Sequence, residues 1–166
     1  VEATLAMLKQ RNPELPLFVI GSSLGGASMV LAAQNTEVDG MVLEAVYPTI
    51  ERAFANRLEM RFGDRGKQVA PLAASLLSPW LPVERERPDI ARAASALTTP
   101  VFVISGTDDR RTTLDDTALL YDAFAGPKQL WLVKGAAHQN LHAYAREDYE
   151  ERVLTFFAQV VGQSDR

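Results

Sequence analysis

The chain has 166 residues, 47% of them apolar and 23% charged, with a formal net charge of -4. That suits one domain with a real core, and the scattered basic residues give no electrostatic footprint for nucleic acid. Cysteine is absent, which excludes disulfides, thiolate nucleophiles and cysteine-based metal sites. No apolar run approaches the roughly 20 residues that span a bilayer, and no signal peptide is visible. A cytoplasmic location is therefore the expectation.

In chain order, residues 4–11 carry Leu5, Leu8 and alanine at helical spacing and stop at Asn12-Pro13. Leu17-Phe18-Val19-Ile20 is purely apolar, as expected of a parallel strand covered on both faces. Residues 24–34, rich in Ala, Leu and Met, read as a helix. Met41-Val42-Leu43 predicts a second strand ending at Glu44-Ala45, and 50–61 a second helix. Val101-Phe102-Val103-Ile104 predicts a third strand after Pro100, followed by a helix over 114–124. Residues 129–133 predict the fourth strand and 147–161 a terminal helix. Strands alternating with helices predict a single α/β domain over 1–166, an open parallel sheet of about four strands with helices on both faces.

Residues 62–89 break the alternation. Gly63, Gly66, Pro71, Pro79, Pro82 and Pro88 interrupt short apolar bursts that include Val69, Leu72, Trp80 and Leu81. Two readings compete: an extra helical hairpin that completes the core, or a small cap that gives a site its apolar wall. The Glu84-Arg85-Glu86-Arg87 run reads as a solvated surface turn.

The chemistry begins at Gly21-Ser22-Ser23-Leu24-Gly25-Gly26, between an apolar strand and an alanine-rich helix. A serine on such a sharp turn exposes its hydroxyl above the sheet, in a strained backbone whose neighbours must be small. The following N–H, on Leu24, points the same way and serves as an oxyanion donor, helped by the helix dipole. A phosphate loop is the competing reading, but the Gly-Lys-Ser/Thr ending and the G-x-G-x-x-G spacing are both missing.

A serine nucleophile needs a base, and the chain has two histidines. His138 follows the fourth strand on a glycine-containing loop, at the sheet edge where ligands bind in open parallel sheets. His142 reads as a surface or supporting residue. The imidazole then needs a carboxylate. Asp109, in Ile104-Ser105-Gly106-Thr107-Asp108-Asp109, is the candidate, with Asp108 its solvent-facing neighbour and Glu44 a weaker alternative. Thr113 with Asp116 three residues on predicts a helix cap. Ser23, Asp109 and His138 thus each follow a predicted strand.

On G-S-S-L-G-G, L-E-A-V-Y-P, I-S-G-T-D-D and G-A-A-H, the chain resembles the carboxyl-terminal two-thirds of an α/β-hydrolase-fold protein, near the bacterial serine esterases and peptidase-like hydrolases. The resemblance implies a catalytic triad of Ser23, Asp109 and His138, no cofactor or metal, small-molecule esters, thioesters or amides as substrates, and a cap at 62–89. Tyr47, with Trp80, is expected to line a modest acyl pocket. The family's strands before the elbow, and its His-Gly loop with a second oxyanion donor, have no counterpart in the 22 residues before Ser23. A missing donor costs on the order of 100- to 1,000-fold in turnover, so a weakly active or inactive scaffold is the alternative to a carboxylesterase, with thioesterase and peptidase as further readings. The strand at Leu17-Phe18-Val19-Ile20 becomes an apolar edge, which predicts a homo-oligomer.

Overall fold

The computed structural model describes residues 1–77 and 89–164. Four strands form one parallel sheet in the order β1-β2-β3-β4: β1 Phe18–Ser22, β2 Gly40–Glu44, β3 Val101–Gly106 and β4 Lys128–Val133. Around them run α1 Glu2–Arg11, α2 Leu24–Ala32, α3 Ile50–Phe62, α4 Asp64–Leu77, α5 Ile90–Ser95, α6 Leu114–Ala123, α7 Leu141–Tyr144 and α8 Arg146–Ser164. The register aligns Ser22, Glu44, Ile104 and Trp131 in one row, so all four carboxyl ends open on the same edge.

Side-chain alternation divides the core in two. Met41, Leu43, Val101 and Val103 face α2, α5 and α6, where Val30, Ile90, Ala94 and Leu120 meet them. Val42, Phe102 and Ile104 face α8, against Tyr149, Val153 and Phe156. Each fully buried branched side chain contributes roughly 2 kcal/mol, so β2 and β3, buried at every position, anchor the sheet.

The outer strands depart from the expectation of cover on both faces. On β1, Val19 is buried and Phe18 packs its ring 4.4 Å from that of Phe157, but Ile20 is 49% exposed. On β4, Leu130 and Leu132 are partly open to solvent. A parallel strand turns both polar groups of alternate residues to one side. The carbonyl of Leu17 and the N–H of Ser23 bond towards β2, so the amides of Phe18, Ile20 and Ser22 point to the free edge.

Residues 62–77 form a hairpin with the preceding helix. Gly63, at φ 63°, makes the turn, and a Cβ on Gly66 would stand 2.1 Å from the Leu58 carbonyl oxygen, so only glycine lets α4 approach α3. Pro79, Trp80, Leu81, Pro82 and the Glu84–Arg87 charge run lie outside the described residues. Helix α5, which precedes β3, has no counterpart in the sequence reading; Asp89 caps it by accepting from Arg92 N–H at 2.8 Å. Among the described residues no helix is long and apolar enough to cross a membrane.

Another close contact lies where β1 meets α2. A Cβ on Gly26 would fall 2.3 Å from Val46 Cγ2 and 2.7 Å from the Gly21 carbonyl oxygen. Gly26→Ala is therefore expected to destabilise the chain by about 2 kcal/mol through overpacking, read as a lower urea midpoint. Gly25→Ala, with nothing within 4 Å of its Cβ, should shift that midpoint far less.

Candidate active site

Ser23 sits between β1 and α2 with φ 50° and ψ -118°, a conformation costing on the order of 1–3 kcal/mol for a residue with a side chain. Its N–H donates to the Glu44 carbonyl at 2.8 Å, and its carbonyl accepts the Ala27 N–H at 3.0 Å. The turn is thus tied to β2 on one side and to the helix on the other. The hydroxyl does not cap α2, which leaves it to the half-open sheet edge. Leu24, the first residue of α2, carries one of the amides that a helix leaves without an internal acceptor. Its side chain is 66% exposed.

The acid and the base meet. Asp109 Oδ2 lies 2.7 Å from His138 Nδ1, with the carboxylate side chain fully buried and the imidazole partly so. The other oxygen, Oδ1, accepts the N–H of Arg111 at 2.8 Å and of Thr112 at 3.0 Å. Backbone bonds also stitch the two loops together. Thr107 N–H donates to Val133, Asp108 N–H donates to Ala136 at 2.9 Å, and Gly135 N–H donates to the Thr107 hydroxyl at 2.8 Å. Gly106 must be glycine here, since a Cβ would stand 2.1 Å from the Ala136 carbonyl oxygen. With Nδ1 occupied by the carboxylate, Nε2 is the free nitrogen. Among the described residues no hydrogen bond joins Ser23 to His138.

The competing residues go elsewhere. Glu44 accepts the hydroxyl of Tyr149 in a buried contact facing α8, away from the imidazole. Burial, and then Glu44 itself, push that tyrosine hydroxyl well above its ordinary range. Asp108 is exposed and bonds the hydroxyl of Thr107. His142 pairs with Glu150 at the surface, 2.8 Å apart. Tyr47, expected on a pocket wall, lies instead in the main core beside Val46, where burial raises its hydroxyl pKa against the opposing charge of Arg57. The residue follows a buried strand and simply continues its packing. A cavity of about 500 Å³ opens at the opposite, amino end of the sheet, lined by Gln34, Asp39, Leu97 and Pro100, and shares no residue with the Ser23–Asp109–His138 set. Thr107, Thr112 and Ala136, which hold the acid and base loops, escaped sequence reading because loop-to-loop bonds leave no periodic signal.

No family model matches the chain, and no curated protein matches it. Solved structures do. An esterase of Pyrococcus furiosus, Pf2001, superposes with a TM-score of 0.70 at 18% identity, over 95% of this chain and 59% of its own. MGS-MChE2, an α/β hydrolase enzyme from a lagoon-sediment metagenome, gives 0.63 at 18% identity over 95% and 68%. The chain has the α/β-hydrolase fold. A bromoperoxidase of Bacillus anthracis gives 0.62 at 14% identity over 95% and 72%. At such identities the likeness is one of fold, and fold alone does not select a chemistry. The chain spans about three fifths of the esterase's length.

In this α/β-hydrolase sheet, the acid turn is also fastened to the helical hairpin. Thr113 and Asp116 form the expected capping box at the start of α6. Asp116, fully buried, accepts from Arg52 and from Asn56 Nδ2 at 2.5 Å, and Asn56 donates to the Arg111 carbonyl at 3.1 Å. Burial alone would raise the Asp116 carboxyl. The hydrogen bonds from Arg52, Thr113 and Asn56 outweigh it and hold the group below its ordinary value of 3.8. A depressed carboxyl stabilises the fold above the unfolded-state pKa, and that stability is lost as pH falls through the folded value. Asp116→Asn should therefore cost about 2 kcal/mol at neutral pH and flatten the fall in melting temperature below pH 3.8. An unchanged acid slope would contradict this role.

Proposed function

We propose that the chain is a serine hydrolase of the carboxylesterase type, acting on small esters through Ser23, His138 and Asp109. The observation that carries this reading is the buried Asp109–His138 pair at 2.7 Å, held at the same sheet edge as a serine with positive φ. Asp109 fixes the imidazole with Nε2 free and stabilises the imidazolium that forms. Nε2 takes the proton from Ser23 Oγ as the oxygen attacks the ester carbonyl. The Leu24 N–H then stabilises the tetrahedral oxyanion at the positive end of α2. His138 returns the proton to the departing alcohol, leaving an acyl-enzyme, and next activates the water that releases the acid.

The Pyrococcus furiosus neighbour is an esterase, which favours esters over other acyl compounds. Ser23→Ala should abolish both release of p-nitrophenol from short-chain esters and labelling by a fluorophosphonate probe, which needs an activated serine. Equal rates in mutant and parent would sink the assignment. A parent chain that is folded yet unlabelled would instead establish the inactive scaffold.

The open edge of β1 supports self-association. Among the described residues the outward amides of Phe18, Ile20 and Ser22 have no backbone partner, and they lie beside the exposed side chains of Leu15, Ile20 and Leu24. On this reading the chain scatters light as a dimer at micromolar concentration, and Ile20→Lys returns it to a monomer. A monomeric parent would overturn the pairing.

A further inference from the structure

Thr112 lies in the turn between Asp109 and α6 and is 1% exposed. It bonds in two directions. Its N–H donates to Asp109 Oδ1 at 3.0 Å, and its hydroxyl donates to the carbonyl of Ala45 at 3.0 Å. Ala45 is the residue that leaves β2. At φ 48° it joins Ser23 as one of two non-glycine residues with positive φ among those described. The Ala45 N–H is held by the Ile104 carbonyl at 2.8 Å, and the carbonyl of the residue before it, Glu44, accepts the N–H of Ser23 at 2.8 Å.

These contacts form one unbroken path. It runs from the Ser23 N–H to the Glu44 carbonyl, through Ala45 to that residue's own carbonyl and the Thr112 hydroxyl, then through the Thr112 N–H to the Asp109 carboxylate and His138. The path is needed because β1 and β3 are not neighbours. With β2 between them, their axes stand roughly 10 Å apart, and the serine and the acid sit on separate loops. The other side-chain ties of the acid turn, through Asn56 and Asp116, lead to α3 and α6. Thr112 alone among the described side chains of that turn reaches the exit of β2.

We propose that Thr112 is a positioning residue whose hydroxyl registers the Asp109–His138 pair against the Ser23 elbow. The inference rests on the serine-hydrolase reading of the site. Thr112 touches no reacting atom: it acts by fixing where Asp109, and through it the imidazole, stands relative to the nucleophile. Displacements of about an ångström already matter on this scale. A threonine hydroxyl carries a single proton, which the Ala45 carbonyl takes. Valine keeps the shape of the side chain and loses the donor. Serine keeps the donor and loses only the methyl group.

The test uses the full chain with Thr112→Val and Thr112→Ser. With a p-nitrophenyl ester, Thr112→Val should lower kcat about tenfold with KM within about twofold, and Thr112→Ser should recover most of the parent kcat. Proton NMR supplies a readout that does not need turnover. The proton shared by His138 Nδ1 and Asp109 should give a far-downfield signal in the parent and in Thr112→Ser, and lose it to solvent exchange in Thr112→Val. Parental kcat and signal in Thr112→Val, or a Thr112→Ser as impaired as Thr112→Val, would overturn the proposal, as would the absence of that signal from the parent. If the parent neither turns over ester nor takes the fluorophosphonate label, the hydrolase reading fails while the proton signal still decides the role of Thr112. Should Thr112→Val not fold, Thr112→Ala carries the same expectations, since it lacks the hydroxyl and sets no apolar bulk against the carbonyl.

Discussion

A carboxylate with no exposed surface has to be hydrogen-bonded on both oxygens, because an unsatisfied buried charge costs several kcal/mol. Asp109 meets that demand with two backbone amides on Oδ1 and the imidazole on Oδ2. Each partner imposes a shape. The amides of Arg111 and Thr112 force the chain to curl tightly after β3, which delivers Thr113 to the start of α6 as its cap. The imidazole forces the loop after β4 to fold back over β3. Its bonds from Thr107, Asp108 and Gly135 follow from that docking, and so does the need for glycine at position 106. The geometry of the acid–base pair is thus a consequence of burying one charge.

Strain sits beside this satisfied charge. Ser23 and Ala45 hold positive φ just past adjacent strands, and each conformation opposes folding by on the order of 1–3 kcal/mol. They persist because their peptide groups are pinned: Ser23 N–H by Glu44, Ala45 N–H by Ile104, and the Ala45 carbonyl by Thr112. The two strands that supply most of those anchors, β2 and β3, are the ones buried along their whole length. Packing at the centre of the sheet therefore sustains the unfavourable turns at its rim.

Much of this was legible in the sequence, and the reasons are specific. The four strands were found because Val, Ile, Leu and Phe runs are short and bounded by Gly or Pro, and each prediction fell within or overlapped the observed strand. Asp109 and His138 were found because a parallel sheet sends every strand's carboxyl end to one edge, so a carboxylate and a histidine just past two adjacent strands must be near each other. Tyr47 misled because an aromatic just after a strand looks the same whether it lines a pocket or extends the core. Cover on Ile20 was overestimated for a related reason. An apolar run reports that a residue tolerates burial, while the number of neighbouring strands decides whether burial happens. Thr107 and Thr112 were invisible: a single hydroxyl that bonds a distant carbonyl has no spacing to betray it.

The two halves of the site are supported unequally, and this bears on how it would work. The acid–base half is sewn into β3, β4, α6 and the α3–α4 hairpin by side-chain and backbone bonds, and its carboxylate is fully buried. The serine half stands on an outer strand, with Ile20 and Leu24 open on its flank. Local opening follows buried contact and protected hydrogen bonds, so the elbow is the softer partner and the imidazole the fixed one. On the proposed serine-hydrolase reading, reactivity depends on how firmly the elbow is referred to that fixed frame. Within the described residues the referral passes through the exit of β2, where Glu44 holds Ser23 from one side and Thr112 holds Ala45 from the other. Cover on the free edge of β1 would act on the same variable, by limiting the motion of the one part of the Ser23–Asp109–His138 set that the sheet's centre does not enclose.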